Sequence, residues 1–225
     1  MSTGPLNPRV PPASAVFPDE GHRRAAAAAE TGDLAQLRAL AGTPGAPTKG
    51  SVDLDAAAPD GVNLLMYEIA AWNEAGVRTL LDAGADPNAL TPTGASPMLV
   101  AGMSEDPRWL ALLLDRGGDP NLVSSVGEPL LTLLVPHGRW ENMLLLLDRG
   151  ARIDATGPSG QTATARLGAL HQFDRVSVML DRGANPEHAD VNGLKLRDFV
   201  VQRMTPGSPQ EPWRDQVAAR IKASS

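Results

Sequence analysis

The strongest apolar runs in the chain, Leu110 to Leu114 and Met143 to Leu147, are short, and each ends in an Asp followed two residues later by glycine. Runs of that length suit helices buried between two neighbours. A milder pattern precedes each run: Asn63 to Ala71 predicts a first helix and Ala75 to Ala83 a second, closed by Gly84-Ala85-Asp86-Pro87-Asn88. The same closure returns as Gly117-Gly118-Asp119-Pro120-Asn121, Gly150-Ala151-Arg152-Ile153-Asp154 and Gly183-Ala184-Asn185-Pro186-Glu187. Gly84 fits the left-handed position that ends a helix, and Pro87 prevents its resumption. Asn63, Ser96 and Thr162 can cap first helices, and Pro97 suits a first helical turn.

These elements recur at a fixed interval. Gly61, Gly94, Gly127, Gly160 and Gly193 are 33 residues apart, and Gly84, Gly117, Gly150 and Gly183 keep the same spacing. Two glycine series in phase mean one supersecondary unit repeated along the chain. The predicted fold class is all-α: a solenoid of helix-turn-helix units with a 33-residue period and atypical capping units. Such arrays bury their core between neighbouring repeats and leave loops to bind, which points to a binding protein.

Composition narrows the chemistry. Of the 225 residues 42% are hydrophobic but only 4% aromatic, so Leu and Ala must fill the core. A net charge of −6 argues against nucleic acid or an anionic membrane as partner. There is no cysteine, hence no disulfide framework and no thiolate metal site. The four histidines, His22, His137, His171 and His188, have no metal-ligand spacing, and no nucleophile elbow, P-loop or dinucleotide motif is present. The expectation is therefore no enzyme activity, no cofactor and no metal. The first residues show neither a basic nor an apolar leader region, which places the chain in the cytoplasm as written, or in the periplasm if an export leader has been removed. No run approaches a membrane span.

Gly94-Ala95-Ser96-Pro97-Met98-Leu99-Val100-Ala101 and Leu113-Leu114-Asp115-Arg116-Gly117-Gly118-Asp119-Pro120-Asn121 resemble an ankyrin repeat. The likeness covers about Arg23 to Met204 and implies three segments: a flexible Pro-rich stretch at 1–19, a repeat domain at 20–204 and a C-terminal loop and capping helix at 205–225. The repeat domain then has a degenerate first unit, with a Pro/Gly-rich insertion at Thr43 to Ser51, four regular units from Ala58 to Val191, and a partial last unit with a helix to about Met204. A final helix is expected from Trp213 to Lys222. Met66, Leu99, Thr132 and Ala165 stand where the family favours His, and Pro136 should shorten the first helix of the fourth unit.

The resemblance also implies where a partner binds. At the loop tips the candidates are Asp60, Val62, Thr93, Ala95, Ser125, Glu128, Ser159 and Gln161; at the ends of first helices they are Trp72, Met103, Ser104, His137 and Leu170. Glu68, where the family prefers a small residue, is expected to reach solvent or a neighbour's donor and, with Asp60 and Glu128, to face a basic partner. Trp109 and Trp140 are expected in the core. Asp82, Asp115, Asp148 and Asp181 recur at helix ends and should be solvated. Phe17-Pro18-Asp19-Glu20 before an Ala-rich helix with Gly32-Asp33, and Gly61-Val62-Asn63-Leu64-Leu65-Met66-Tyr67, are similar to proteobacterial ankyrin proteins encoded beside secreted antibacterial effectors. That likeness implies an immunity protein, a monomer when free, that occludes one cognate toxin such as a type VI effector. The alternative is an intracellular ankyrin scaffold or regulator of an unrelated protein.

Overall fold

The computed structural model describes residues 7, 9–42, 51–202 and 205–223, which divide into two compact halves at Ser125/Val126. In the N-terminal half a short helix α1 (Ala13–Val16) precedes three helix pairs: α2 (Glu20–Thr31) with α3 (Leu34–Ala41), α4 (Leu64–Ala70) with α5 (Glu74–Ala83), and α6 (Pro97–Met103) with α7 (Pro107–Leu114). Within this half α2 and α3 both pack on α5, and α4 packs on α6. The C-terminal half holds α8 (Leu130–Leu133) with α9 (Trp140–Asp148), α10 (Ala163–Ala169) with α11 (Phe173–Asp181), and α12 (Leu196–Val200) with α13 (Glu211–Ala223). There α10 packs on α8 and α12, and α11 packs on α13. Among the described residues no strand is present, only an isolated antiparallel bridge between Thr156 and Thr162. No described helix is long and apolar enough to cross a membrane.

Local chemistry sets each boundary. The side chains of Asn63, Ser96 and Thr162 accept the N–H groups of Met66, Leu99 and Ala165 at 3.0, 3.1 and 3.1 Å, so first helices start where the caps stand. Asp33 and Asn73 cap second helices in the same way, at 2.9 and 3.1 Å. At the other end the Gly84 N–H donates to Leu81 O and the Ala85 N–H to Leu80 O, which closes α5 through left-handed backbone at φ 101°. The Leu113–Gly118, Leu146–Ala151 and Met179–Ala184 bonds repeat that closure at 2.9, 2.9 and 3.1 Å.

The fourth repeat departs as Pro136 foretold, and further. Its α8 spans four residues where α4, α6 and α10 span seven. Pro129 occupies the register of Asn63 and offers no side-chain acceptor, so this helix lacks a cap as well as room to continue. Thr132, in the register where the ankyrin likeness expects His, is fully buried and its hydroxyl finds no hydrogen-bond partner.

Repeats within each half are stitched by polar bonds. Asp55 accepts the Asp86 N–H at 2.8 Å, Asn88 the Asp119 N–H at 2.7 Å, and Asp154 the Asn185 N–H at 3.0 Å. Helix ends add a second set. Asp82 pairs with Arg116, and Asp148 with Arg182 at 2.6 Å. These helix-end carboxylates are exposed, as expected, but each grips the arginine of the following repeat.

Several boundaries differ from expectation. The segment expected to be a flexible tether is docked along its described part. Asn7 donates from its backbone to Ala71 O and from Nδ2 to Ala70 O, Tyr67 donates to Pro11 O at 3.1 Å, and Phe17 is buried edge-on against Tyr67. Apart from the one-turn α1, described residues 9–19 form no helix before Glu20, yet the Asn7 amides, the Pro11 carbonyl and Phe17 attach the segment. The helix expected to reach Met204 ends at Val200, and Met204 lies outside the described residues, as does most of the Thr43 to Ser51 insertion. The last helix begins at Glu211 rather than Trp213 and runs to Ala223. Trp109 is buried in the core, whereas Trp140 at the start of α9 is only half-buried beneath Arg175, 5.4 Å from its ring.

Leu113 and Leu146 are fully buried at the helix ends that the glycine turns close. Leu113→Ala or Leu146→Ala should cost about 2–5 kcal/mol through lost burial and the cavity left behind. Urea midpoints measured on both variants check this, and values equal to the wild type would misplace the core.

Candidate protein-binding surface

Within each repeat the candidate residues fall on one of two edges. Asp60, Val62, Thr93, Ser125, Glu128 and Gln161 precede first helices at the loop tips, while Met103 ends α6 and Trp72, Ser104, His137 and Leu170 follow first helices at the interhelical turns. A seven-residue helix, about 10 Å long, separates the edges within a repeat.

On the tip edge Asp60, Thr93 and Ser125 are exposed, and Val62, Glu128 and Gln161 are half-buried. The tips pack against each other closely. A Cβ at Gly61 would overlap the Thr93 side chain, and one at Gly94 would overlap Ser125. Glu128 is not a spare charge: Arg166 holds its carboxylate at 2.6 Å, with the Glu side chain only 16% exposed. Gln161 donates to Asp190 at 3.3 Å. Register could have shown one more tip residue, Val126, which lies 33 positions after Thr93 and is 69% exposed.

On the turn edge Trp72 is exposed, and Met103 and Ser104 are half-buried beside it. In the N-terminal half these three line an apolar groove of about 520 Å³, completed by Val10, Leu99 and Trp109 among others. Asn7 and Val10 supply a wall of this groove, and nothing in the periodic pattern could announce them. In the C-terminal half His137 and Leu170 are both exposed.

Glu68 belongs to neither edge. It is fully buried in α4 and accepts a 2.8 Å hydrogen bond from Asn73 Nδ2 at Oε2, while Oε1 has no hydrogen-bond partner. Of the two expectations for it, a neighbouring donor is met by Asn73 and solvent exposure is not, so a buried Glu68 does not face a basic partner. Glycine makes the space: a Cβ at Gly76 would press on both the Glu68 carboxyl and the Asn73 amide. Burial pushes the Glu68 carboxyl up to about 8, opposed by the Asn73 hydrogen bond and reinforced by the charge of Glu30. Kept neutral, the side chain avoids the large penalty of an unpaired buried charge.

The fold matches known structures. The crystal structure of EF0377, an ankyrin repeat protein, superposes with a TM-score of 0.64 at 22% identity, covering 90% of this chain and 97% of that one. The ankyrin repeat domain of Bcl-3, a member of the IκB protein family, superposes with a TM-score of 0.70 at 24% identity, covering 90% and 87%. The fold is that of ankyrin repeats. No protein-family profile and no curated protein sequence matches the chain. Among the described residues, no three His, Asp or Glu side chains come together in a way that could hold a metal ion.

Within this ankyrin fold Glu68 makes stability depend on pH. Folded, it keeps its proton up to about 8, whereas a glutamate in the unfolded chain releases it near 4.5. Between those values the folded state binds more protons, so stability falls as pH rises, by at most about 1.4 kcal/mol per pH unit. Asp55, pushed up to about 6 chiefly by burial, acts in the same direction over 3.8 to 6. Between pH 6 and 8 the carboxylate contribution therefore rests on Glu68. Glu68→Gln, which keeps an acceptor for Asn73, should flatten the denaturant midpoint across that window and raise stability at pH 8. An unchanged slope would show that another group titrates there.

Proposed function

We propose that this chain is a protein-binding ankyrin module, and that it acts as an immunity protein which neutralises one secreted antibacterial effector by covering it. The supporting observation is the turn edge of the N-terminal half, where an exposed tryptophan borders an apolar groove on a scaffold of packed, capped helices. A preorganised surface loses little ordering entropy on binding, and aromatic anchors dominate interface energetics. Covering an effector's active-site mouth requires shape and charge from the inhibitor, not catalysis.

Charge is unevenly placed. Residues 1–125 carry fifteen Asp and Glu against eight Lys and Arg, and residues 126–225 carry eleven against twelve. The acidic field of the N-terminal half would speed the approach of a basic protein, and Asp60, exposed at a loop tip, contributes to it.

The test is co-expression with the product of the neighbouring gene in a sensitive bacterium, scoring survival and co-purification together. Rescue accompanied by a stable complex is the expected result. A harmless neighbour, or a lethal one that neither binds nor is blocked by abundant chain in the right compartment, rejects the immunity role. For the complex itself, Asp60→Lys should slow association and reduce its salt dependence while leaving dissociation nearly unchanged, as stopped-flow mixing at two ionic strengths would show.

A further inference from the structure

The interhelical turn singles out Trp72. Gly138 stands 66 positions later and His171 99 positions later, and all three have left-handed backbone, with φ of 61°, 67° and 56°. Glycine adopts that geometry freely, while Trp and His hold it against the crowding of their own Cβ. His171 uses its ring internally: it stacks on Phe173 with centroids 6.0 Å apart and lies 3.4 Å from Gln202. Trp72 instead leaves 58% of its surface in solvent. Strained residues concentrate at ligand clamps, and an exposed Trp in a position where glycine would serve the fold is strain directed outward.

The surroundings of Trp72 are built to receive something. The groove it borders is lined by Ile69, Leu99, Val100 and Trp109, and its volume of about 520 Å³ is in the range that takes several side chains. The part of the lining from the N-terminal segment is pinned, because Asn7 is bonded to the carbonyls of both Ala70 and Ala71 and accepts the Val10 N–H. The half of the molecule that carries the groove is the acidic one, with fifteen Asp and Glu against eight Lys and Arg, of which Glu68 alone is held neutral by burial.

We propose that this groove receives a short apolar segment of a protein partner flanked by Lys or Arg residues, with Trp72 closing over the apolar side chains. The inference rests on the protein-binding reading above and names where and with what chemistry the contact is made. The apolar lining selects the core of the segment, and the acidic half selects its flanks.

The test uses the full chain and two short synthetic peptides that share one Leu/Phe core, one flanked by Arg and Lys and the other by Glu. Binding is read by anisotropy of a fluorescent label at low and high salt. The basic peptide should bind at least about tenfold more tightly than the acidic one, and Trp72→Gly should weaken it by about tenfold or more. Because the backbone at this turn already suits glycine, Trp72→Gly should keep or raise the thermal midpoint, which separates lost binding from lost folding. Asp60→Lys, on the other edge, should change the peptide affinity far less than Trp72→Gly does. Equal binding of both peptides, no binding of either, or undiminished binding by Trp72→Gly overturns the proposal. The two readings fail separately. An effector that binds the wild type and Trp72→Gly equally refutes the groove but keeps the protein-binding module. An effector that does not bind the wild type refutes the immunity role, while the peptide titration still decides the groove.

Discussion

A helix of ten residues that must hand its chain to the next repeat needs a sharp stop, and the stop used here is a left-handed residue whose neighbours bond back across the last turn. At Gly84 the two backbone bonds to Leu80 and Leu81 satisfy carbonyls that would otherwise be orphaned, and they aim the chain into the loop that carries Asp86 and Asn88. Those loop residues then bond to the neighbouring repeats, Asp86 to Asp55 and Asn88 to Asp119. The stacking of helix pairs is thus downstream of a backbone conformation. Were the turn not left-handed, the polar bonds between loops would lose their register and the apolar faces of α5 and α7 would have no fixed partner.

The same conformation, at the opposite end of the helix pair, is where fold and function part company. Gly138 satisfies the turn between α8 and α9 at no steric cost, and so shows what the fold alone requires. Trp72 meets the same requirement with the largest of side chains, most of it in water. In His171 the departure from glycine is answered by internal contacts with Phe173 and Gln202. Comparing equivalent positions inside one chain therefore separates residues that serve the turn from a residue that serves something beyond it.

Periodic features were legible in the sequence, since a feature repeated every 33 residues needs no knowledge of its surroundings. The glycine turns and the caps at Asn63, Ser96 and Thr162 belong to this class, and the shortened α8 shows as a break in it at Pro136. What was not legible was contact between segments that follow no common register. The docking of Asn7 and Pro11 on α4 joins residues about sixty positions apart through backbone carbonyls, which leave no pattern in side-chain identity. Glu68 failed for a related reason. Its polarity suggested solvent, but the space for it comes from Gly76 on the facing helix and its one donor from Asn73 at the turn. Glu128 looked like a free acid at a tip because Arg166, 38 residues on, could not be placed beside it from sequence.

The docked N-terminal segment links the two least regular features of the N-terminal half. Asn7 and Val10 line the groove beside Trp72, and the same two residues line a smaller cavity of about 290 Å³ bordered by Glu30, Tyr67 and Glu68. With the segment in place, α4 is buried at every position from Leu64 to Ile69, including the one that carries a carboxyl group. Without that cover Tyr67 would lose its acceptor and its aromatic neighbour Phe17, and α4 would be open along that side. The docked segment thus borders both the cavity beside Glu68 and the groove beside Trp72. A Pro-rich stretch whose one described helix before Glu20 is the single turn α1 helps enclose the space beside one side chain and shapes the surface beside another.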